Sequence, residues 1–133
     1  MKKILFICAE NAGRSQMAEA FFNHYAKENG VDWIAESNGT TPADKINPVV
    51  IEAMSERGIP LADTKPKLFQ LQDIGQYEKV ISFGCLVKAT LDKEVQNKLT
   101  EWHIDDPRGE GLEKVRVIRD EIEGVVVGLG ETL

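Results

Sequence analysis

Cys8 and Arg14 bracket the five residues Ala9-Glu10-Asn11-Ala12-Gly13, and Ser15 follows directly. A thiol and a guanidinium at that spacing suit attack by sulfur on a tetrahedral oxyanion held in a planar fork. The flanking residues fit the same chemistry. "KILFI" before Cys8 reads as a buried strand and "QMAEAFFNHYAKENG" after Ser15 as a helix, so the segment is a strand-to-helix loop. Such a loop aims several backbone N–H groups at one spot, where the helix dipole also favours negative charge. Gly13 frees the torsions that this nest of amides needs. The same field favours a thiolate at Cys8. Acidity alone gives little rate, because nucleophilicity falls as the thiol becomes more acidic. The gain must come from holding the oxyanion in line and stabilising transition-state charge, which falls to Arg14 and the loop amides of Ala9, Glu10, Asn11, Ala12 and Gly13. Ser15 can donate to the sulfur or cap the helix. By itself Cys8 would read as a small hydrophobe at a strand end; its setting turns that reading toward function.

The elements that must position this loop alternate. Residues 2–8 are strand one and residues 15–29 a helix with Met17, Ala18, Phe21 and Tyr25 on one face and Gly30 as its stop. Residues 33–38 are strand two, ended by Asn38-Gly39. Asn47 caps a second helix with Pro48 at its first position, an apolar stripe of Val50, Ile51 and Met54, and Gly58 as its end. Residues 59–75 are a loop with a short helix around "LFQLQD"; residues 78–83 and 100–105 are strands three and four. Leu112, Val115, Ile118, Ile122 and Val125 give a long amphipathic last helix. Strands alternating with helices predict a parallel sheet covered on both faces. Ligands of such sheets bind beyond the carboxyl ends of the strands. Cys8, Cys85 and the pair Asp105-Asp106 should therefore share one edge.

The bulk properties restrict the partners. The 133 residues predict one domain, 1–133, without linkers or repeats. A net charge of −6 argues against nucleic acid, so a bound anion must be held by a local positive site. No apolar run reaches the ~20 residues of a membrane span, and the apolar part of the N-terminus is too short for a signal peptide. A cytoplasmic protein is expected. Two cysteines and two histidines, far apart, predict no zinc site and no structural disulfide.

"CAENAGRSQMAEAFF" resembles the active-site loop and first helix shared by low-molecular-weight protein tyrosine phosphatases and thioredoxin-coupled arsenate reductases. "NPVVIEAMSERGI" and "EWHIDDPRGEGLEKVRVIRDEI" resemble the reductase branch, so the likeness spans nearly the whole chain. It implies a three-layer α/β sandwich: a four-stranded parallel sheet of order 2-1-3-4, helices on both faces and a phosphatase-like anion loop after strand one. It also implies roles. Cys8 is the nucleophile, Arg14 the oxyanion clamp, Ser15 the thiolate partner, Asn11 the loop brace and Asp106, before Pro107, the general acid. Asp105 is the alternative acid.

Three features separate the branches. "DDPRGEG" places Arg108 and Gly109 where phosphatases often carry aromatic residues, and Gln16 fits the reductases' "RSQMAE". Both favour a small inorganic oxyanion. Where reductases typically have two relay cysteines, this chain has only Cys85, one place late, with Gly84 in the usual slot. Cys85 is either the resolving thiol of a Cys8–Cys85 disulfide or a buried strand-end thiol. Glu10 stands where glycine or a basic residue is common, and an acid there should weaken anion capture unless it points to solvent. Trp102 and His103 are expected to pack in strand four, His24 to lie on the surface, and Lys65 and Lys67 to be solvated or to edge the pocket.

The resulting expectation is an arsenate reductase-like enzyme with no bound cofactor or metal, restored by thioredoxin or a small thiol. The alternative is a phosphatase working through a phosphocysteine; a third reading is an oxyanion-binding or redox-sensing module without turnover.

Overall fold

The computed structural model describes residues 1–61, 63–86 and 88–133. Ala62, in the predicted 59–75 loop, and Val87, after strand three, lie outside the described residues. Four strands, β1 (Lys2–Cys8), β2 (Trp33–Gly39), β3 (Lys79–Ser82) and β4 (Leu99–Glu101), form one parallel sheet of order β2-β1-β3-β4. This is the expected order. The helices are α1 (Arg14–Asn29), α2 (Pro48–Ser55), α3 (Lys93–Lys98) and α4 (Leu112–Gly130), with 3₁₀ turns at Leu71–Gln76 and Lys88–Thr90.

Alternation along β1 divides the core. Ile4, Phe6 and Cys8 face a cluster built from α1, α2 and α4, including Met17, Phe22, Val50, Met54, Ile118 and Ile122. Leu5 and Ile7 face a smaller cluster with Ile74, Tyr77, Val80 and Leu99, against which Phe69, Cys85 and Leu91 pack. Both faces are covered, but three full helices lie on one side and only short elements on the other. The predicted caps hold. The Asn47 side chain accepts from Val49 N at 2.9 Å with Pro48 next, and Gly30 takes φ 65° after α1. None of the described helices is long and apolar enough to cross a membrane.

Some expectations change. β4 ends at Glu101, because the chain peels away after one further ladder bond, Trp102 N to Ser82 O at 2.9 Å. Trp102 still packs, between the rings of Phe6 and Phe83, whereas His103 is exposed. In α4 the buried stripe runs Val115, Ile118, Ile122 and Val126 rather than Val125, which is 37% exposed. The helical period drifts by a residue over five turns. Along α1 the buried face includes Phe22 and Ala26, and Tyr25 is only half-buried. Helix α3 has no buried residue and no apolar periodicity to announce it.

α2 is tied to α4 by charge. Glu56, at the end of α2, accepts from Arg116 Nη2 at 2.6 Å and from Arg119 Nη1 at 2.7 Å. Arg119 is 6% exposed and also donates to Ala53 O at 2.8 Å. Hydrogen bonds from Arg116 and then Arg119 hold the Glu56 carboxyl at about 2, against an ordinary 4.5. A carboxyl whose pKa falls on folding contributes stability that is complete above its unfolded value and disappears as pH drops through the folded one. Glu56→Gln should therefore lower the melting temperature at neutral pH. Thermal melts across a pH series should show the gap to the parent closing between pH 4.5 and about 2; a gap constant with pH would mean that the ion pairs contribute nothing.

Candidate active site

The register brings Cys8 level with Gly39 and Ile7 level with Ser82, so the carboxyl ends of β2, β1 and β3 lie together. The chain between Cys8 and Arg14 curls into a cup. Its carbonyls are bound from outside: Thr40 N to Cys8 O at 3.2 Å, Thr41 N to Ala9 O at 2.7 Å, Ala43 N to Glu10 O at 3.0 Å and Asn47 N to Ala12 O at 3.0 Å. In a trans peptide the following N–H points opposite to the carbonyl. With the carbonyls of Cys8, Ala9, Glu10 and Ala12 turned out, the N–H groups of Ala9, Glu10, Asn11 and Gly13 turn in. Asn11 N lies 3.3 Å from Cys8 Sγ. The cup opens at the N-terminus of the 16-residue helix α1, whose dipole adds to the same positive field.

Asn11 fixes this shape at a left-handed φ of 53°. Its amide nitrogen donates to Ser15 Oγ at 2.7 Å and to Ser37 Oγ at 3.0 Å. Its oxygen accepts from Gln16 Nε2 at 3.0 Å and Lys67 N at 2.9 Å. All four bonding positions of the carboxamide are used. Ser15 Oγ accepts from Asn11 and lies 2.8 Å from Cys8 Sγ, where its own proton is free to donate to a thiolate. Ser37 Oγ likewise accepts from Asn11 and donates to Glu19 Oε1 at 2.8 Å. Burial pushes the Glu19 carboxyl up, opposed by the Ser37 hydrogen bond.

Arg14 joins the strand ends. Its Nη1 donates to Ile104 O at 3.0 Å and Phe83 O at 3.3 Å, and the guanidinium lies 5.6 Å from the centre of the Phe83 ring. Its Nη2 is 3.6 Å from Asp106 Oδ2. Asp106 Oδ1 accepts from Arg108 N at 2.9 Å, the turn geometry that an Asp before Pro favours. Pro107 is buried against the cup; a Cβ on Gly13 would stand 2.7 Å from Pro107 Cγ. Asp105 instead points to α4, accepting from Lys114 Nζ at 2.9 Å. This arrangement favours Asp106 over Asp105 as the acid.

A cleft of about 200 Å³ leads to Cys8, lined by the cup, Arg14, Asp106-Pro107-Arg108 and the 43–48 segment. Sulfur, a guanidinium, inward amides and a carboxyl converge there, a set suited to in-line displacement at a tetrahedral centre. Glu10 is not free in solvent: its carboxylate meets Arg108 Nη1 at 3.2 Å. Lys65 and Lys67 contribute their backbones rather than their exposed side chains, Lys67 N to Asn11 and Lys65 O accepting from Gln16 at 3.3 Å. Cys85 is on the smaller-cluster side of the sheet, its Sγ 3.5 Å from Ser82 Oγ. Burial pushes the Cys85 thiol up, the Ser82 hydrogen bond opposes this, and charge on Cys8 adds to the rise.

Sequence reasoning missed Ser37, Glu19, Lys45, which lines the cleft, and the second role of Gly39. Ser37 had a signal: it stands in step with Ala35 on the inward face of β2. Gly39 was read only as a stop. A Cβ there would meet Ala9 O at 2.8 Å and Asn11 N at 2.9 Å. Gly39→Ala must therefore push the cup off the strand end. Aryl phosphate turnover should fall roughly 100-fold, the scale of a 1 Å misplacement of reacting groups; unchanged turnover would mean that the cup tolerates the shift.

Residues 3–133 match the family described as low molecular weight phosphotyrosine protein phosphatase. The chain is 32% identical to a glutaredoxin arsenate reductase of Synechocystis sp., over 97% of this chain and 96% of that one. Among solved structures, a low molecular weight protein tyrosine phosphatase from T. tengcongensis superposes with a TM-score of 0.90 at 26% identity, covering all of both chains. An arsenate reductase in the phosphate binding state superposes with a TM-score of 0.84 at 30% identity, covering 99% of this chain and 98% of that one. The chain belongs to the low molecular weight phosphotyrosine protein phosphatase family.

Proposed function

We propose that the protein is a thiol-dependent arsenate reductase, with Cys8 as nucleophile, Arg14 and the amides of residues 9–15 as the oxyanion cradle, and Asp106 as general acid. The observation that carries this reading is the cleft: Cys8 stands in a space of about 200 Å³, and none of the described residues lining it is aromatic. Such a cleft fits a free tetrahedral oxyanion better than an aryl ester. The reductase names among relatives of about 30% identity support the same choice.

The chemistry balances with two thiols. Cys8 sulfur attacks arsenic while Asp106 protonates a departing oxygen, which leaves as water. The product is a Cys8–S–As(V) adduct. A second thiolate then attacks the Cys8 sulfur. An S–S bond forms, the S–As bond breaks, and its electron pair goes to arsenic, which departs as arsenite. A dithiol reductant of the glutaredoxin or thioredoxin class, or a small thiol, returns the two electrons. Cys85 is our choice for the second thiol. It must cross from the far side of the sheet, and Gly84, at φ 87°, is the hinge. The far-side position of Cys85 is also what favours the second reading, a phosphatase. There water completes the reaction at a phosphocysteine and no loop movement is needed.

One preparation decides between them when assayed for arsenite release with a dithiol reductant and for aryl phosphate hydrolysis. Cys8→Ser should abolish both, and ordinary turnover in that variant would sink the nucleophile assignment. Asp106→Asn should slow aryl phosphate hydrolysis by roughly 10²- to 10⁴-fold, with a smaller loss for acidic leaving groups. An equal loss for all leaving groups would indicate damage to the fold instead.

The resolving step carries its own pH signature. A raised thiol pKa means that Cys85 is a poor nucleophile at neutral pH, and its thiolate appears as pH rises. Formation of the Cys8–Cys85 disulfide after a single arsenate turnover, followed by mass spectrometry, should accelerate with pH through and beyond the ordinary thiol range. Cys85→Ser should remove it and leave aryl phosphate hydrolysis intact. Arsenite release with Cys85 still free would assign the second thiol to the external reductant.

A further inference from the structure

An acid at the mouth of an anion cleft calls for an explanation, and the geometry gives one. Glu10 belongs to the cup and Arg108 to the turn that carries Asp106; their side chains meet at 3.2 Å, and both residues line the cleft that leads to Cys8. The bond joins two different walls. Each end is anchored through its backbone: Glu10 O accepts from Ala43 N at 3.0 Å, and Arg108 N donates to Asp106 Oδ1 at 2.9 Å. Lys114 is engaged by Asp105 at 2.9 Å, and besides Arg14 and Arg108 the cation lining the cleft, among the described residues, is Lys45.

We propose that Glu10 and Arg108 form a clasp across the cleft that selects free inorganic oxyanions against their organic esters. The proposal rests on the reading of this cleft as the oxyanion site. A free oxyanion fits inside with nothing trailing out, so the clasp stays shut and Arg108 cancels the charge of Glu10. An ester must thread its organic group out between the walls. The pair then parts, and Glu10 faces the bound dianion uncompensated. The filter is thus an opposing element, a charge unmasked only by the wrong ligand. Its strength is that of an exposed ion pair, because Arg108 is 77% exposed at its side chain. That corresponds to about two- to fivefold in binding.

The test compares affinities for inorganic phosphate and phenyl phosphate by calorimetry in a Cys8→Ala background, where the nucleophile is absent and neither ligand reacts. The readout is the ratio of ester to inorganic affinity. Glu10→Gln should raise the ratio about two- to fivefold and tighten phosphate binding, since Arg108 is then free to attract it. Arg108→Gln should also raise the ratio but weaken phosphate binding, because Glu10 is then bare. The exchange Glu10→Arg with Arg108→Glu should bring the ratio back toward the parent value. In the parent, the ratio should climb with added salt as the exposed pair is screened, and in the single variants it should be flat. A ratio unmoved in both single variants, or independent of salt in the parent, would overturn the clasp. The salt series needs no mutation in the clasp, so it decides even if a variant fails to fold. Because nothing is turned over, the result stands whether or not the protein reduces arsenate; a parent that binds neither anion would instead defeat the reading of the cleft.

Discussion

The site depends on one saturated carboxamide. Asn11 sits in the left-handed region, where a side chain is normally unwelcome, and holds there because both of its amide hydrogens and both of its oxygen lone pairs are engaged. Those four bonds reach α1, β2 and the 65–67 segment. Three separate stretches of chain thus agree on where the cup lies. The hydroxyls follow: with Asn11 donating to Ser15, the Ser15 proton is free to turn to Cys8. Gly39 completes the constraint from below, since only a residue without Cβ lets β2 end this close to Ala9 and Asn11.

A positive site survives in an acidic chain because its charge is local. Inward amides, the α1 terminus and Arg14 act over a few ångströms, whereas the −6 of the whole is spread over the surface and screened by salt. Arg14 is 13% exposed at its side chain and is braced by two carbonyls, so its fork is aimed before any ligand arrives. Pro107 against Gly13 fixes how close the acid turn can come. Cup and acid turn are therefore one rigid unit on their apolar side, joined on their polar side by an ion pair that water can reach.

Much of this was legible in the sequence, for identifiable reasons. A buried apolar run marked β1, Asn38-Gly39 closed β2, Asn47-Pro48 marked a helix start, and Cys8, Arg14 and Asp106 stood out because thiol, guanidinium and Asp-Pro are rare and positional. What stayed hidden depends on tertiary contact. Ser37 and Glu19 matter only through Asn11, which is 26 residues from Ser37. Lys67 works through its amide, which carries no residue signature. Helix α3 carries a single apolar residue, Val95, in six and so offers no period to read. Strand four, expected over residues 100–105, ends at Glu101 because the chain leaves the ladder at Trp102, which packs on Phe6 and Phe83. Glu10 looked misplaced because its partner lies 98 residues on, in a turn whose direction the sequence does not show.

The split core has a consequence for the protein at rest. Cys8 belongs to the cluster on one side of the sheet and Cys85 to the cluster on the other. A Cys8–Cys85 bridge of the kind proposed above would join groups packed on opposite faces of the sheet, so closing it would require the segment after β3 to leave its apolar bed. That gives the thiols a form of insulation. Under the proposed reaction a stray oxidant would meet each sulfur alone, whereas an adduct on Cys8 could wait for the segment to move. On that reading the sheet would act as a timer, separating accidental oxidation from productive oxidation by which of the two can wait.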